Sequence, residues 1–305
     1  MGETRAARFA RDARLEGERP VRVPAKAERG EVEVEGGVRL RFDVRGDGPP
    51  VLMLMGLGVT GAGWEPQAQI LSDRFRIITL DQRGVGATSD HWRPIRIDQL
   101  ARDALAVLDR LGLGRAHLVG LSMGGMVALE VAGRWPERIE RLVVCCAPVH
   151  ADLRLRRLVA GMTFRSVRAF VRAGGGARGL LAARDQTRED WVQFVFNGSV
   201  PENHRDFVAE QMKAFEDPRA GRGLLAQTAA VLRHDARLWA RRIRAPTLVV
   251  AGTHDRMIAL GSVCRTASAI AGSRLVCVEG APHGLNVPHA EALNRHLGEF
   301  LSSAG

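Results

Sequence analysis

The sequence predicts an α/β chain: a mostly parallel sheet with helices on both faces, interrupted once by a helical insertion. Three observations carry this. Short apolar runs alternate with helically spaced segments from Val51 to Cys145. The alternation stops after Pro148 and gives way to helical segments over residues 150–240. It then resumes at Pro246 and runs to Leu301. Continuous apolar strands separated by amphipathic helices mark a sheet buried on both faces.

Residues 1–30 hold eight basic and five acidic residues with little apolar periodicity. They are expected to form a flexible, Arg-rich extension outside the fold. The acids argue against a transit peptide, and no apolar h-region suggests a secretory signal. Glu31–Glu35 and Val38–Phe42 alternate polar and apolar residues around Gly36-Gly37, which predicts two strands joined by a tight turn. Solid apolar runs predict strands at Val51–Met55, Phe75–Leu80, Ala116–Leu121, Ile139–Cys145, Pro246–Ala251 and Arg274–Val278. Helices are expected at Trp64–Ser72, Ile97–Leu111, Met123–Arg134, Leu260–Ala271 and Pro288–Leu301. The apolar positions 97, 100, 104, 105, 107, 108 and 111 fall on one helical face. The expected organisation is therefore an extension over 1–30, an α/β core of 31–149 and 241–305, and a helical cap over 150–240.

The 305 residues are 46% hydrophobic and 26% charged, a globular composition. Forty-four basic residues against 34 acidic ones leave a net charge of +10, and only Lys26 and Lys213 are lysines. The excess is local. Residues 1–30 contribute +3, and residues 150–185, with eight basic and two acidic residues, contribute +6. No nucleic-acid reader motif accompanies this charge, so no nucleic-acid partner is expected. The longest apolar run, Val51–Val59, is far short of the ~20 residues of a membrane span, so no stable membrane insertion is expected. Four cysteines without a C-x-x-C pair predict reduced, mostly buried thiols and a cytoplasmic protein. The sequence carries no signal of oligomeric state.

Gly120-Leu121-Ser122-Met123-Gly124 fits G-x-S-x-G and sits between an expected strand and an expected helix. On such a turn the serine hydroxyl is pushed out above the sheet, and flanking glycines relieve the crowding. The following helix N-terminus adds positive potential beside the nucleophile. A serine needs a base, and the base needs an orienting acid. Both are expected on loops after later strands, in chain order. Asp255 follows the strand ending at Ala251, and His283 follows the strand ending at Val278. His254, His289 and His296 are rivals for the base. However, His289 and His296 fall in the final helix, and His254 would point away if Asp255 faces the site. The oxyanion needs N–H donors. Met123, after the nucleophile, is one; Leu57, in the loop Met55-Gly56-Leu57-Gly58-Val59, is the candidate for the other.

These pieces together resemble the α/β-hydrolase-fold superfamily over roughly Val32 to Leu301. The matching stretches are the Gly56–Gly58 loop, Asp81-Gln82-Arg83-Gly84-Val85-Gly86, Gly120–Gly125, Thr253-His254-Asp255-Arg256 and Ala281-Pro282-His283. Trp64-Glu65-Pro66-Gln67 and Arg244–Gly252 make the chain similar to 3-oxoadipate enol-lactone hydrolases and polyketide-tailoring methyl esterases. Many relatives carry His-Gly at the oxyanion loop; Met55-Gly56 stands here, as in methyl-esterase-like members. The resemblance implies an eight-stranded sheet, a helical cap and a Ser122–His283–Asp255 triad. It implies hydrolysis of a carboxylic ester or lactone of a small to medium apolar molecule through an acyl-enzyme, with no cofactor and no metal. Ser122 stands where haloalkane dehalogenases and epoxide hydrolases carry Asp. A cofactor-free perhydrolase, a C–C hydrolase or a biosynthetic lyase or cyclase could use the same triad, and a non-catalytic ligand-sensing protein could use the same scaffold.

In the expected cap, Leu155, Leu158, Val159, Met162, Ala169 and Phe170 share a helical face, while Arg157, Arg165, Arg168 and Arg172 lie on another. This reads as a helix packed on the core with a solvated charged face, or as a basic surface for a membrane or an anion. Trp191, Phe194, Phe196, Phe207 and Phe215 supply aromatics for an apolar pocket. Gly174-Gly175-Gly176 is a candidate hinge.

Overall fold

A computed structural model describes residues 27–88, 94–213 and 220–303. Most of the expected extension, residues 1–26, and Phe215 lie outside the described residues. Eight strands form one sheet: β1 (Glu28–Val34), β2 (Val38–Arg45), β3 (Pro50–Leu54), β4 (Arg76–Leu80), β5 (Ala116–Leu121), β6 (Ile139–Cys145), β7 (Thr247–Gly252) and β8 (Arg274–Val278). Their order is β1-β2-β4-β3-β5-β6-β7-β8. β2 pairs antiparallel with β1 and β4, and every other pairing is parallel.

Alternation along the strands divides the core into two layers. Leu52, Leu54, Leu118, Leu142, Val144 and Val249 join the layer under α2 (Ile97–Arg110) and α3 (Met123–Arg134). Val51, Met53, Val119, Val143, Leu248 and Val250 join the layer under α1 (Glu65–Leu71) and the C-terminal helix Ala290–Ser302. All twelve side chains are essentially sealed from solvent, the burial a parallel sheet covered on both faces requires.

Two boundaries differ from expectation for a traceable reason. β2 runs on to Arg45, where it pairs with β4, and so offers ladder partners to Glu28–Gly30. β1 therefore begins at Glu28, inside the expected extension, and Gly30 lies under the Phe42 ring. The helix expected at Trp64–Ser72 opens with a 3₁₀ turn over Gly61–Trp64, and α1 proper begins at Glu65 with Pro66 in its first turn, where proline's missing N–H costs nothing.

Between β6 and β7 the chain forms α4 (Leu153–Arg172), α5 (Gly176–Val195), α6 (Arg205–Met212), α7 (Ala220–Leu232) and the short α8 (Arg237–Ala240). Helices α9 (Leu260–Ala269) and α10 (Ala290–Ser302) follow. The two ends of this insertion are tied together at its base. His150 bridges Asp235, Ala151 N–H donates to His234 C=O (3.0 Å), and Ala236 N–H donates to Val149 C=O (2.8 Å). Asp152 caps α4 by accepting from Leu155 N–H (2.9 Å). Gly174, Gly175 and Gly176 all take positive φ, and they turn α4 back into α5.

Candidate active site

The site gathers at the carboxyl ends of β3, β5, β6, β7 and β8, beside the reversal of strand order around β3. Open α/β sheets place ligands at such an edge.

Ser122 stands between β5 and α3 with φ 55° and ψ −118°. A non-glycine residue in this region is strained, and the neighbours hold it there. Ser122 N–H donates to Cys145 C=O (2.9 Å), and Met126 N–H donates to Ser122 C=O (3.0 Å). Gly124 packs against the backbone of Leu54 and Met55 so closely that a Cβ would collide with it. Met123 begins α3, so its N–H has no carbonyl a turn earlier to bond, and it has no backbone partner among the described residues.

Asp255 and His283 are brought together. His283 Nδ1 and Asp255 Oδ2 are 2.8 Å apart, with both side chains almost wholly buried. Asp255 Oδ1 accepts from Met257 N–H (2.8 Å) and Ile258 N–H (2.7 Å). The carboxylate is thus held at both oxygens. An ionised carboxylate is an acceptor only, so the proton of this contact belongs to Nδ1 of His283. Ser122 and His283 line the same cavity. No hydrogen bond joins their side chains among the described residues. Of the rivals, His254 is exposed beside Gly280, and His289 stands at the N-terminal boundary of α10.

The loop after β3 is braced by groups that its sequence does not reveal. Gln82 Nε2 donates to Met55 C=O (2.6 Å), and Gly61 N–H donates to Asp81 Oδ1 (2.9 Å). Gln227, fully buried on α7, accepts from Gly58 N–H (2.9 Å) through Oε1 and donates to Arg83 C=O (2.7 Å) through Nε2. Leu57 N–H is left without a partner among the described residues, and Leu57 lines the cavity. Arg83 is itself locked by a buried two-point ion pair with Asp103, at 2.7 Å for both contacts. Asn286 ties the segment after His283 to the other side of the site by donating to Gly63 C=O (2.9 Å).

Cys146 is the other residue that sequence reading passed over. It follows β6 with φ 47° and is wholly buried. Its sulfur and ligand atoms of Asp255 and His283 lie within 4.8 Å of one another. Burial, with the Asp255 carboxylate next, pushes the Cys146 thiol well above its usual range. The neighbouring Cys145 thiol is pushed up to about 12 by burial. This trio does not suit a metal: Asp255 and Nδ1 of His283 are engaged with each other, Asp255 also accepts two backbone N–H groups, and burial disfavours the thiolate that would bind. The expectation of mostly buried cysteines needs correction at Cys277, which is exposed on the edge strand β8.

The cavity over Ser122 has a volume of about 370 Å³ and is walled largely by the insertion. Leu155, Val159, Met162 and Phe170 of α4 face it, with Trp191, Phe196 and Phe207. Phe194 does not; the Arg165 guanidinium lies over its ring at 5.4 Å. Asp190 is the one carboxylate among the described lining residues, and Arg165 pairs with it at 2.8 Å. Arg165 therefore departs from the solvated face expected of it, because α5 brings a buried carboxylate to meet it. Arg157, Arg168 and Arg172 do face solvent, and no arginine lines the cavity among the described residues.

A strained serine at a strand–helix turn, a buried Asp–His pair on the same sheet edge and a helical insertion above them define a class of fold that comparison then names. The family described as alpha/beta hydrolase fold matches residues 49–290, and the chain belongs to it. Its relatives include the "Putative carbamate hydrolase RutD" of Agrobacterium fabrum, 30% identical over 274 residues, which cover 87% of this chain and 99% of that one. The 3-oxoadipate enol-lactonase 2 of Acinetobacter baylyi is 27% identical over 248 residues, covering 81% and 86%. Among solved structures, the enol-lactonase from Burkholderia xenovorans LB400 superposes with a TM-score of 0.73 at 27% identity, covering 90% of this chain and all of that one. The enol-lactonase resemblance read from the motifs thus holds, as does the eight-stranded α/β-hydrolase fold. Hydrolytic chemistry on a small molecule comes with the family.

Proposed function

We propose that the chain is a serine hydrolase that cleaves a carboxylic ester or lactone of an apolar molecule through an acyl-enzyme. The observation that carries this is the Asp255–His283 pair, fixed at both carboxylate oxygens and opening with Ser122 into one apolar cavity. Ser122 Oγ attacks the carbonyl and passes its proton to His283 Nε2, which returns it to the leaving alcohol. Asp255 holds the imidazole tautomer and steadies the imidazolium. Leu57 N–H and Met123 N–H take the oxyanion. Water activated by His283 then releases the acid and regenerates Ser122. The insertion over 150–240 acts as the cap that selects the substrate, since Val159, Met162, Phe170 and Trp191 wall the cavity. This lining favours an uncharged hydrocarbon or aryl group over a small polar carbamate. Displacing water from such a wall contributes about 25 cal/mol per Å² of apolar surface, and no lysine or arginine among the described lining residues meets a charged acyl chain.

The test is fluorophosphonate labelling of wild type and Ser122→Ala, followed by a panel of nitrophenyl esters of increasing chain length, lactones and a carbamate. Labelling confined to wild type, with kcat/KM rising from acetate to medium-chain esters, is the expected result. Full ester turnover by Ser122→Ala sinks the reading, and preference for the carbamate overturns the substrate class.

A further inference from the structure

Helix α4 turns an uncovered apolar stripe to solvent. Leu153, Ala160, Phe164, Val167 and Val171 recur at helical spacing and share one face. Leu153, Phe164, Val167 and Val171 are 62, 65, 54 and 66% exposed. The opposite face, carrying Leu155, Val159 and Met162, turns into the cavity, so α4 is apolar on both sides. Ordinarily the outer face of such a helix is polar. Here the polar residues are instead arginines bordering the stripe, with exposed Arg156 on one flank and exposed Arg157 and Arg168 on the other. The helix contains six arginines and no acidic residue. Val167 and, on α7, Leu225, 62% exposed, also line the cavity. The mouth of the cavity therefore opens at this surface.

We propose that this face of α4 docks on an anionic phospholipid surface and lies in the headgroup plane with the cavity mouth against the membrane. A narrow apolar stripe flanked by arginines is the pattern that sinks into the acyl boundary while its cations meet phosphates, and stable adsorption needs both signals. The charge disfavours the other occupants. A second copy would set the same arginines against each other, and residues 1–26 are also net basic, with seven basic and four acidic residues. Docking does not depend on the serine chemistry. Its use does rest on the reading above: an apolar ester dissolved in lipid would meet the cavity without crossing water.

The full-length chain is sedimented with vesicles of phosphatidylcholine alone or of equimolar phosphatidylcholine and phosphatidylglycerol. Binding to the anionic vesicles only, weakening with salt, is expected. Phe164→Ser/Val171→Ser and Arg157→Gln/Arg168→Gln should each lower the partition coefficient roughly tenfold or more. Four outcomes overturn the proposal: no binding to anionic vesicles; equal binding to neutral ones; binding unchanged in either double variant, which would assign it to charge elsewhere in the chain; and a wild-type dimer that Phe164→Ser dissolves, which would place a second copy on the stripe. Fluorophosphonate labelling of the same variants reports whether Ser122 is intact. A failed docking test thus stays separate from a failed hydrolase.

Discussion

Asp255 is the residue on which the proposed chemistry can be tested most sharply. One of its oxygens receives two backbone N–H groups and the other receives His283. In Asp255→Asn the amide must present either its oxygen or its NH2 to His283. With Oδ1 saturated by donors, the NH2 is forced to the histidine side, which selects the wrong tautomer. The expected result is a fall in kcat of about 10³–10⁴ with KM changed little, measured by steady-state kinetics on the best ester of the panel. A loss confined to KM would remove Asp255 from the proposed role. Cys146 makes a second test at this scale. Buried against Asp255 and held protonated, it should resist iodoacetamide in the native protein, while Cys277 is alkylated readily. Peptide mapping by mass spectrometry reads both. Native labelling of Cys146 at the rate of Cys277 would contradict the buried placement.

At the scale of elements, the loop after β3 depends on a helix more than a hundred residues away. Gln227 of α7 satisfies Gly58 N–H and Arg83 C=O at once. Gln227→Leu leaves both groups buried without partners, at about 1–3 kcal/mol each. The loop presenting Leu57 should loosen, with kcat falling more than KM rises and the denaturation midpoint dropping. Unchanged kcat in a folded Gln227→Leu protein would show that the loop holds without α7. A companion contact marks how closely the insertion sits: Gly223 of α7 lies directly on Gly84, and a Cβ at 223 would run into the Gly84 carbonyl. Gly223→Ala should therefore shift α7 and cost more than about 1 kcal/mol, with chain-length preference in the ester panel altered because Leu224 and Leu225 line the cavity. An unaltered preference would argue against that coupling.

For the whole molecule, acid sensitivity follows from buried imidazoles. Burial holds His234 down to about 4 and pulls His117 below its usual value. In the unfolded chain an imidazole takes its proton near 6.5. Between pH 6.5 and 4 the unfolded state thus binds a proton that the folded state refuses. The stability is complete above pH 6.5 and declines as pH falls, by up to about 3 kcal/mol for His234. Urea midpoints at a series of pH values should show the decline, and His234→Gln should flatten it. The same slope in that variant would assign the sensitivity elsewhere. His234 sits at the base of the insertion, where its carbonyl accepts from Ala151, so the variant also reports how firmly the two ends of the insertion are joined.

The strands, the helices of the α/β layers and the positions of Ser122, Asp255 and His283 were legible because each depends on local pattern. A strand–Gly-x-Ser-x-Gly–helix run creates its own turn, and an Asp or His just past an apolar strand arrives at the same sheet edge whatever else the chain does. Gln227, Cys146 and the Arg165–Asp190 pair were not legible, since each acquires its meaning from a partner far along the chain. Phe164 and Val171 show the difference most plainly. By periodicity they are ordinary apolar helix positions, and only the placement of α5 and α7 decides that Leu155 and Met162 are covered while these are left to solvent. The sequence by itself determined which groups are proposed to carry the chemistry and on which edge they stand, because strand direction and turn geometry are set within a few residues. The tertiary structure alone decided the cavity, its apolar lining and the uncovered stripe on α4, because burial is a property of what packs against a residue and not of the residue itself.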